Sequence, residues 1–167
     1  MFFKLLAAIF FALCGSFCGI CCSVTLKNRA YICNDAVRIM RSCSIMIRSS
    51  GADVYKLMLE LKKTGVGLMH FIGKMPDIYT ETANFRSLWA DAVSSENGIP
   101  AEEKKLLIDF GNILGTTDIE GQISSIAAQI TLMEGLREQR MAEYRQKGRL
   151  YRSLGVMAGV MIGIIII

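Results

Sequence analysis

Two stretches without charged side chains lie at the two ends of the chain. Leu5–Leu26 holds 22 uncharged residues, and a helix of about 20 residues is long enough to cross a bilayer. Ser153–Ile167 is also uncharged, but fifteen residues rise only about 22 Å as a helix. Residues 150–152, with the Arg152 side chain snorkelling to the surface, nearly make up the missing length. The pattern predicts transmembrane helices over residues 1–26 and 153–167.

A cleaved signal peptide is the alternative for the first stretch. Its apolar core would normally cover roughly 7–15 residues and end at a small-x-small cleavage site. Ala12-Leu13-Cys14 does not supply that site, and the apolar run continues beyond it. A lipoprotein signal would need a small residue directly before its cysteine. Leu13, Phe17 and Ile20 occupy that place before Cys14, Cys18 and Cys21, so a lipoprotein signal is also disfavoured. We therefore favour an uncleaved span.

Between the two ends, apolar residues recur at the three- and four-residue spacing of amphipathic helices, without strand-like alternation. The spacing predicts helices over 30–48, 52–63, 78–93, 100–114 and from 118 towards the C-terminus. We expect the first of these helices to be continuous with the N-terminal span. The positions expected to face a common core include Phe85, Trp89, Phe110, Leu114, Ile119, Ile123, Ile126 and Met133.

The segment Leu107–Gln122 combines a helix stop with a helix start. Gly115 can adopt the left-handed conformation that closes a helix at its C′ position. Thr117 and Glu120 have the spacing of a capping box, in which each side chain bonds the backbone amide of the other. The segment is therefore predicted to be the corner at which the last, long helix begins.

The distribution of charged residues predicts how the chain is oriented in the membrane. The net charge is +4, but the cations concentrate beside the two apolar ends, and the middle of the chain is acidic. A nucleic-acid binder would instead cluster its cations with exposed aromatic side chains or a groove-reading helix. By the positive-inside rule, the central segment faces the cytoplasm and both termini lie outside. The predicted fold class is all-α, with a cytosolic helical bundle domain at residues 27–152 flanked by an N-terminal and a C-terminal transmembrane helix.

Small residues form a stripe in each predicted span. Glycines separated by three residues let another helix approach closely in lipid. The positions predicted to pack in this way are Gly15, Gly19, Gly155, Gly159 and Gly163. Cys14, Cys18 and Cys21 lie beside the first stripe at C-x3-C-x2-C spacing, which also binds iron–sulfur clusters in radical enzymes. Since those enzymes need a large α/β barrel, we interpret these cysteines as small apolar packing residues.

Candidate catalytic chemistry is sparse. His70 is the only histidine, with no carboxylate or cysteine at ligand spacing, and a core or half-buried role is favoured for it. Gly67 and Gly73-Lys74 do not match a phosphate-binding loop, because five residues intervene instead of four and Met75 replaces Ser or Thr. We expect no enzyme activity, catalytic residue, cofactor, metal, nucleic acid or small-molecule substrate. The alternative is a membrane-anchored, cysteine-based metal or redox protein.

The corner and the residues that follow it resemble a known family. Leu106–Val156 carries DFGNILGTTD, then EGQI, then a basic stretch leading into YRSLGVMAGVMIG. With the helix of Phe85 and Trp89 and the N-terminal span, this resembles the stage III sporulation protein AB family of endospore-forming bacteria. The residues that carry the resemblance are Phe110, Gly111, Leu114, Gly115, Asp118 and Gln122.

The resemblance implies a function that the residue patterns alone do not. The family's cytosolic region is similar to a cytoplasmic domain of the platform proteins of type II secretion and type IV pilus machines. It implies a place in the mother-cell membrane facing the forespore, within a channel or secretion-like complex. The implied partners are the secretion-type ATPase of that complex, its other membrane subunits and membrane lipid. Fold maintenance and direct partner contact both remain open as roles for the six motif residues.

Overall fold

The computed structural model describes residues 2–50, 54–64, 67, 69–75, 84–115 and 118–166. These residues form six helices and no strand. The helices are α1 (Phe2–Ser50), α2 (Val54–Thr64), α3 (Phe71–Lys74), α4 (Phe85–Ser95), α5 (Ala101–Ile113) and α6 (Ile119–Ile166). The predicted all-α class is confirmed, and the amphipathic segment 30–48 is continuous with the N-terminal apolar stretch in α1.

The chain divides into two compact units. The terminal pair consists of Met1–Ala30 and Glu138–Ile167, and the bundle consists of Tyr31–Arg137. Within the described residues, one helix is long and apolar enough to cross a membrane, namely Ile119–Ile165 of α6. A second span, over residues 1–26, stays a prediction, as do the predicted domain limits at 26 and 152.

The core of the bundle surrounds the single tryptophan. Trp89 of α4 is fully buried and contacts three phenylalanine rings. Its centroid lies 5.2 Å from that of Phe71 and 5.9 Å from those of Phe85 and Phe110, with near-perpendicular geometry towards Phe71. Edge-to-face pairs of this kind add about 0.5–1.5 kcal/mol beyond the area they bury. The aromatic cluster therefore joins α3, α4 and α5.

The start of α4 differs from the sequence prediction. Residues 76–83 lie outside the described part of the chain, but Asn84 has an extended backbone, with φ −74° and ψ 107°. Its Oδ1 accepts a hydrogen bond from the Arg86 amide at 3.1 Å, so Asn84 is the N-cap of α4. The prediction of one continuous helix over 78–93 is therefore wrong, because the apolar spacing continues across Asn84, whose extended backbone and capping side chain mark the start of α4.

Candidate functional site

The corner between α5 and α6 begins as the sequence predicts. Helix α5 ends at Ile113, Leu114 is its C-cap, and Gly115 follows with a φ of +75°. In this conformation a side chain is strained, and a Cβ at residue 115 would lie 3.2 Å from Cγ2 of Val54. The predicted helix stop at Gly115 is confirmed.

The start of α6 uses a different cap from the predicted one. Oδ2 of Asp118 accepts a hydrogen bond from the Gly121 amide at 3.3 Å, and the Asp118 carbonyl accepts one from Gln122 at 3.0 Å. Asp118 is therefore the N-cap, which puts Glu120 one position too early for a capping box. Thr117 lies outside the described residues. The corner therefore lies where the sequence predicts it, and its capping residue is Asp118, whose negative charge also suits a helix N-terminus.

Gly111 lies against the tryptophan of the core. A Cβ at residue 111 would be 2.1 Å from Cδ1 of Trp89 and 2.5 Å from its Nε1. The same Nε1 donates a hydrogen bond of 2.7 Å to the carbonyl of Leu107, four residues earlier in α5. A side chain at residue 111 would occupy the space of the indole that reaches this carbonyl. The glycine therefore lets α4 and α5 approach so closely that the Leu107 carbonyl satisfies the one polar group of the buried indole.

The six motif residues separate into two groups by burial. Phe110, Gly111, Leu114 and Gln122 are buried, and Gln122 is 7% exposed. Gly115 and Asp118 are exposed. The buried group acts through the packing of the bundle, whereas the exposed pair shapes the corner and is accessible to a partner.

A groove lies beside the corner, within the bundle. Its volume is about 480 Å³, and it is lined by Arg48, Ile119, Glu120, Ile123 and Ser124. Ile119 was predicted to face the core, but its side chain is 50% exposed. Helix α6 begins at Ile119, but its first buried residue is Gln122, three positions later, so the prediction that Ile119 faces the core is wrong. Neither Arg48 nor Glu120 forms an ion pair with another described residue.

The terminal pair is held by the glycine stripes. A Cβ at Gly15 would lie 2.6 Å from the carbonyl oxygen of Gly155 and 2.9 Å from Cα of Gly159. A Cβ at Gly19 would lie 2.5 Å from the carbonyl oxygen of Tyr151. Gly15 thus lies opposite Gly155 and Gly159, whereas Gly19, further along α1, lies opposite Tyr151, which is earlier in α6. The two helices therefore run antiparallel with their backbones in contact. Gly159 and Gly163 are buried as well. Each stripe therefore contacts the other end of the same chain.

The corner motif and the terminal helices occur together in one family model. The model described as stage III sporulation protein AB matches residues 4–167. The chain belongs to the stage III sporulation protein AB family. The match includes the corner, the bundle and both apolar ends, so the resemblance inferred from the corner motif is confirmed. No curated protein and no solved structure matches the chain.

The cysteines of this family member occupy two environments. Cys14, Cys18, Cys21 and Cys22 are exposed on the terminal pair, whereas Cys33 and Cys43 are buried in the bundle, and none of these six described cysteines forms a disulfide. Burial raises the pKa of the Cys43 thiol far above its ordinary value, which keeps it protonated and unreactive. In the described part of the chain, no three His, Cys, Asp or Glu side chains are grouped as metal ligands.

Two polar residues lie in environments that their sequence positions do not specify. His70 is exposed rather than part of the core, and its side chain makes no capping hydrogen bond at the start of α3. Glu103, in the first turn of α5, is fully buried and accepts a hydrogen bond from the Cys33 thiol at 3.9 Å. Its sequence position gave only the signal of an acidic first turn, because burial there depends on where α1 packs.

Proposed function

We propose that this protein is a non-enzymatic scaffold subunit of a sporulation channel or secretion-like complex. In this proposal the terminal pair crosses the mother-cell membrane that faces the forespore, with both chain ends outside the cytoplasm. The bundle lies in the cytoplasm and docks the secretion-type ATPase of the complex. Family membership supports a role in sporulation. The ATPase, the two-pass topology and the orientation are parts of the proposal.

The observation that carries the membrane part is the antiparallel glycine contact. Two helices whose backbones touch at Gly15, Gly19 and Gly155 need no apolar driving force between them, which suits a lipid environment. Large apolar side chains point outwards on both helices, and Leu13 and Phe17 are 65% and 69% exposed. Exposing that apolar surface to water costs free energy, whereas exposing it to the hydrocarbon of a bilayer does not.

Hydroxyl side chains of the first helix support the same environment. Ser16 donates to the Ala12 carbonyl at 2.8 Å, and Thr25 donates to the Cys21 carbonyl at 3.0 Å. Bonding to the preceding turn of their own helix satisfies these groups without water.

For the docking part we propose the groove beside the corner. It combines the exposed apolar side chain of Ile119 with the cation of Arg48 and the carboxylate of Glu120. Neither Arg48 nor Glu120 has an ion-pair partner among the described residues. Apolar anchors with a polar rim are the usual composition of a binding surface. Residues at a connection between rigid helices are also suited to recognition, because the helices fix their position.

Retention of the ATPase by the full-length protein in lipid nanodiscs tests the proposal. We expect Ile119→Ser to lower ATPase binding at least tenfold, because a partly exposed apolar anchor is lost with little cost to folding. Leu132→Ser is the matched control, since Leu132 lies on the same helix and is 56% exposed. Equal binding by the wild type and both variants would reject the groove, and no binding by the wild type would reject the ATPase as a direct partner.

A further inference from the structure

The charge of the chain is distributed unequally between its two units. Residues 1–30 and 138–167 contain eight lysines and arginines and two glutamates. Residues 31–137 contain eleven lysines and arginines and thirteen aspartates and glutamates. From Tyr144 to the C-terminus there are four cations and no acid. The terminal pair is therefore strongly basic although most of its residues are apolar.

The basic side chains that follow Tyr144 on α6 form no ion pair with a described residue of the terminal pair. Arg145, Lys147 and Arg149 are exposed and form no ion pair with any described residue. Arg152 donates from Nε to the Gly148 carbonyl of its own helix at 3.2 Å, which leaves its terminal nitrogens available. By contrast, Arg140 lies 3.5 Å from Glu143, the last acidic residue of the chain.

Helix geometry places these cations together. Positions 145, 149 and 152 follow the i, i+4, i+7 spacing of one helix face. A Cβ at Gly148 would lie 3.1 Å from Oγ of Ser23, so α1 passes α6 at this level. Lys27 and Arg29 follow Ser23 on α1, and an axial rise of about 1.5 Å per residue keeps them within about 10 Å of that level. The cations of both helices thus surround one level of the pair.

This level is also the boundary of the apolar surface. Beyond Arg152, α6 has no charge, and its outward side chains are large and apolar; Met157 is 58% exposed. On α1, the uncharged residues before Lys27 cover the same length of the pair. Cations at the edge of an apolar helix pair, of which Arg145, Lys147 and Arg149 form no ion pair with a described residue, have the chemistry that recognises a phosphate group attached to hydrocarbon. A free phosphate compound would satisfy the cations but would leave the adjoining apolar surface uncovered.

We propose that Arg29, Arg145, Lys147, Arg149 and Arg152 form a basic collar that binds the headgroups of anionic phospholipids. The collar rests on the proposed membrane anchoring and adds a lipid preference to it. The guanidinium groups of the arginines donate to phosphate oxygens, while the neighbouring apolar side chains contact the acyl chains. The protein therefore collects anionic lipid around its helix pair on the side where the bundle lies in the proposed topology.

The test compares spin-labelled phosphatidylglycerol with spin-labelled phosphatidylcholine in vesicles that contain the full-length protein. We expect the wild type to bind phosphatidylglycerol several times more strongly, and a salt increase to reduce the preference. Each neutralised cation should lower the preference up to about fivefold. The triple variant Arg145→Gln, Arg149→Gln, Arg152→Gln should therefore bind the two lipids almost equally.

The matched control changes three exposed cations of the bundle, Lys56→Gln, Arg86→Gln and Lys105→Gln, and should keep the full preference. An unchanged preference in the collar variant would overturn the collar, as would a wild type that does not distinguish the lipids. Inorganic phosphate that removes the preference more effectively than chloride of equal ionic strength would also overturn it, in favour of a free phosphate ligand. Alkaline carbonate extraction of the vesicles measures membrane anchoring separately from lipid preference. Release of the protein from vesicles of neutral lipid would contradict the proposed membrane anchoring itself.

Discussion

Trp89 and Gly111 lie so close that residue 111 has no room for a side chain, because its Cβ would be 2.1 Å from Cδ1 of the indole. The neighbouring indole nitrogen bonds the Leu107 carbonyl. One glycine thereby sets the distance between α4 and α5, and through the aromatic cluster it also fixes α3.

We expect Gly111→Ala to destabilise the bundle by about 1–3 kcal/mol or more, because the added methyl group overpacks the core and displaces the indole from its hydrogen bond. Trp89 is the only tryptophan, so its fluorescence during urea unfolding of the full-length protein reports on the bundle. Gly135→Ala is the control, because a Cβ there meets nothing within 4 Å in the middle of α6. That change should stabilise by about 0.5–1 kcal/mol through helix propensity. A stable Gly111→Ala variant with unchanged fluorescence would contradict the close approach.

Asp118 permits a separation of its structural and partner roles. Asp118→Ala should cost about 0.5–2 kcal/mol through loss of the N-cap, while Asp118→Asn should keep most of the stability, since asparagine caps about as well. If the exposed carboxylate contacts a cation of the ATPase, the asparagine variant should fold normally and bind more weakly. Urea unfolding and ATPase retention, measured on the same preparations, distinguish the two roles. Normal binding by the asparagine variant would limit Asp118 to the cap.

The glycine contact of the terminal pair predicts a positional effect in the first helix. Gly15→Leu should separate the two helices, because even a Cβ would lie 2.6 Å from the Gly155 carbonyl oxygen. Cys18→Leu should be tolerated, because Cys18 is exposed and three residues away. Size-exclusion chromatography after heating in detergent should show a lower midpoint of unfolding for Gly15→Leu alone. Equal midpoints for the two variants would contradict the pairing.

The buried thiol of Cys43 predicts a dependence on pH. Its pKa is raised in the folded protein by burial, so only the unfolded chain ionises this thiol above about pH 8.5. The unfolded state then binds fewer protons, and the free energy of unfolding falls as the pH rises, by up to about 1.4 kcal/mol per unit for this group. Cys43→Ala should remove that part of the decline.

Urea unfolding between pH 8 and pH 10 measures this difference. Met40→Ala is the control, because Met40 is equally buried in α1 and does not titrate. It should lower stability at every pH without changing the slope. Parallel curves for the wild type and Cys43→Ala would show that the thiol is accessible to solvent.

The sequence predicted those features that depend on a single residue type or on helical spacing. Gly115 was predictable because few other residues accept the conformation that ends α5, and the long terminal helices were predictable from their uncharged length. The start of α4 was not, since apolar spacing continues upstream of the Asn84 cap. The close packing of Trp89 on Gly111 depends on the relative position of two helices, which neither residue specifies alone.

The candidate sites show the same limit. The glycine stripes predicted that a helix would approach closely, but not that the partner would be the other end of the same chain. Ile119 begins the stripe of α6 and yet borders a groove, because the residues opposite it come from the end of α1. Long-range partners of this kind follow from the whole packing arrangement rather than from local pattern.

The antiparallel contact between Gly15 and Gly155 has a consequence for the order of folding. The two glycines are about 140 residues apart in the chain, so closing this contact costs more conformational entropy than any local pairing in the bundle. During synthesis, the first helix leaves the ribosome long before its partner exists. Its glycine face has no partner helix within the chain until nearly all of the polypeptide has been synthesised. Assembly of the terminal pair is therefore expected to be a late step, open until then to competition from other helices in the membrane.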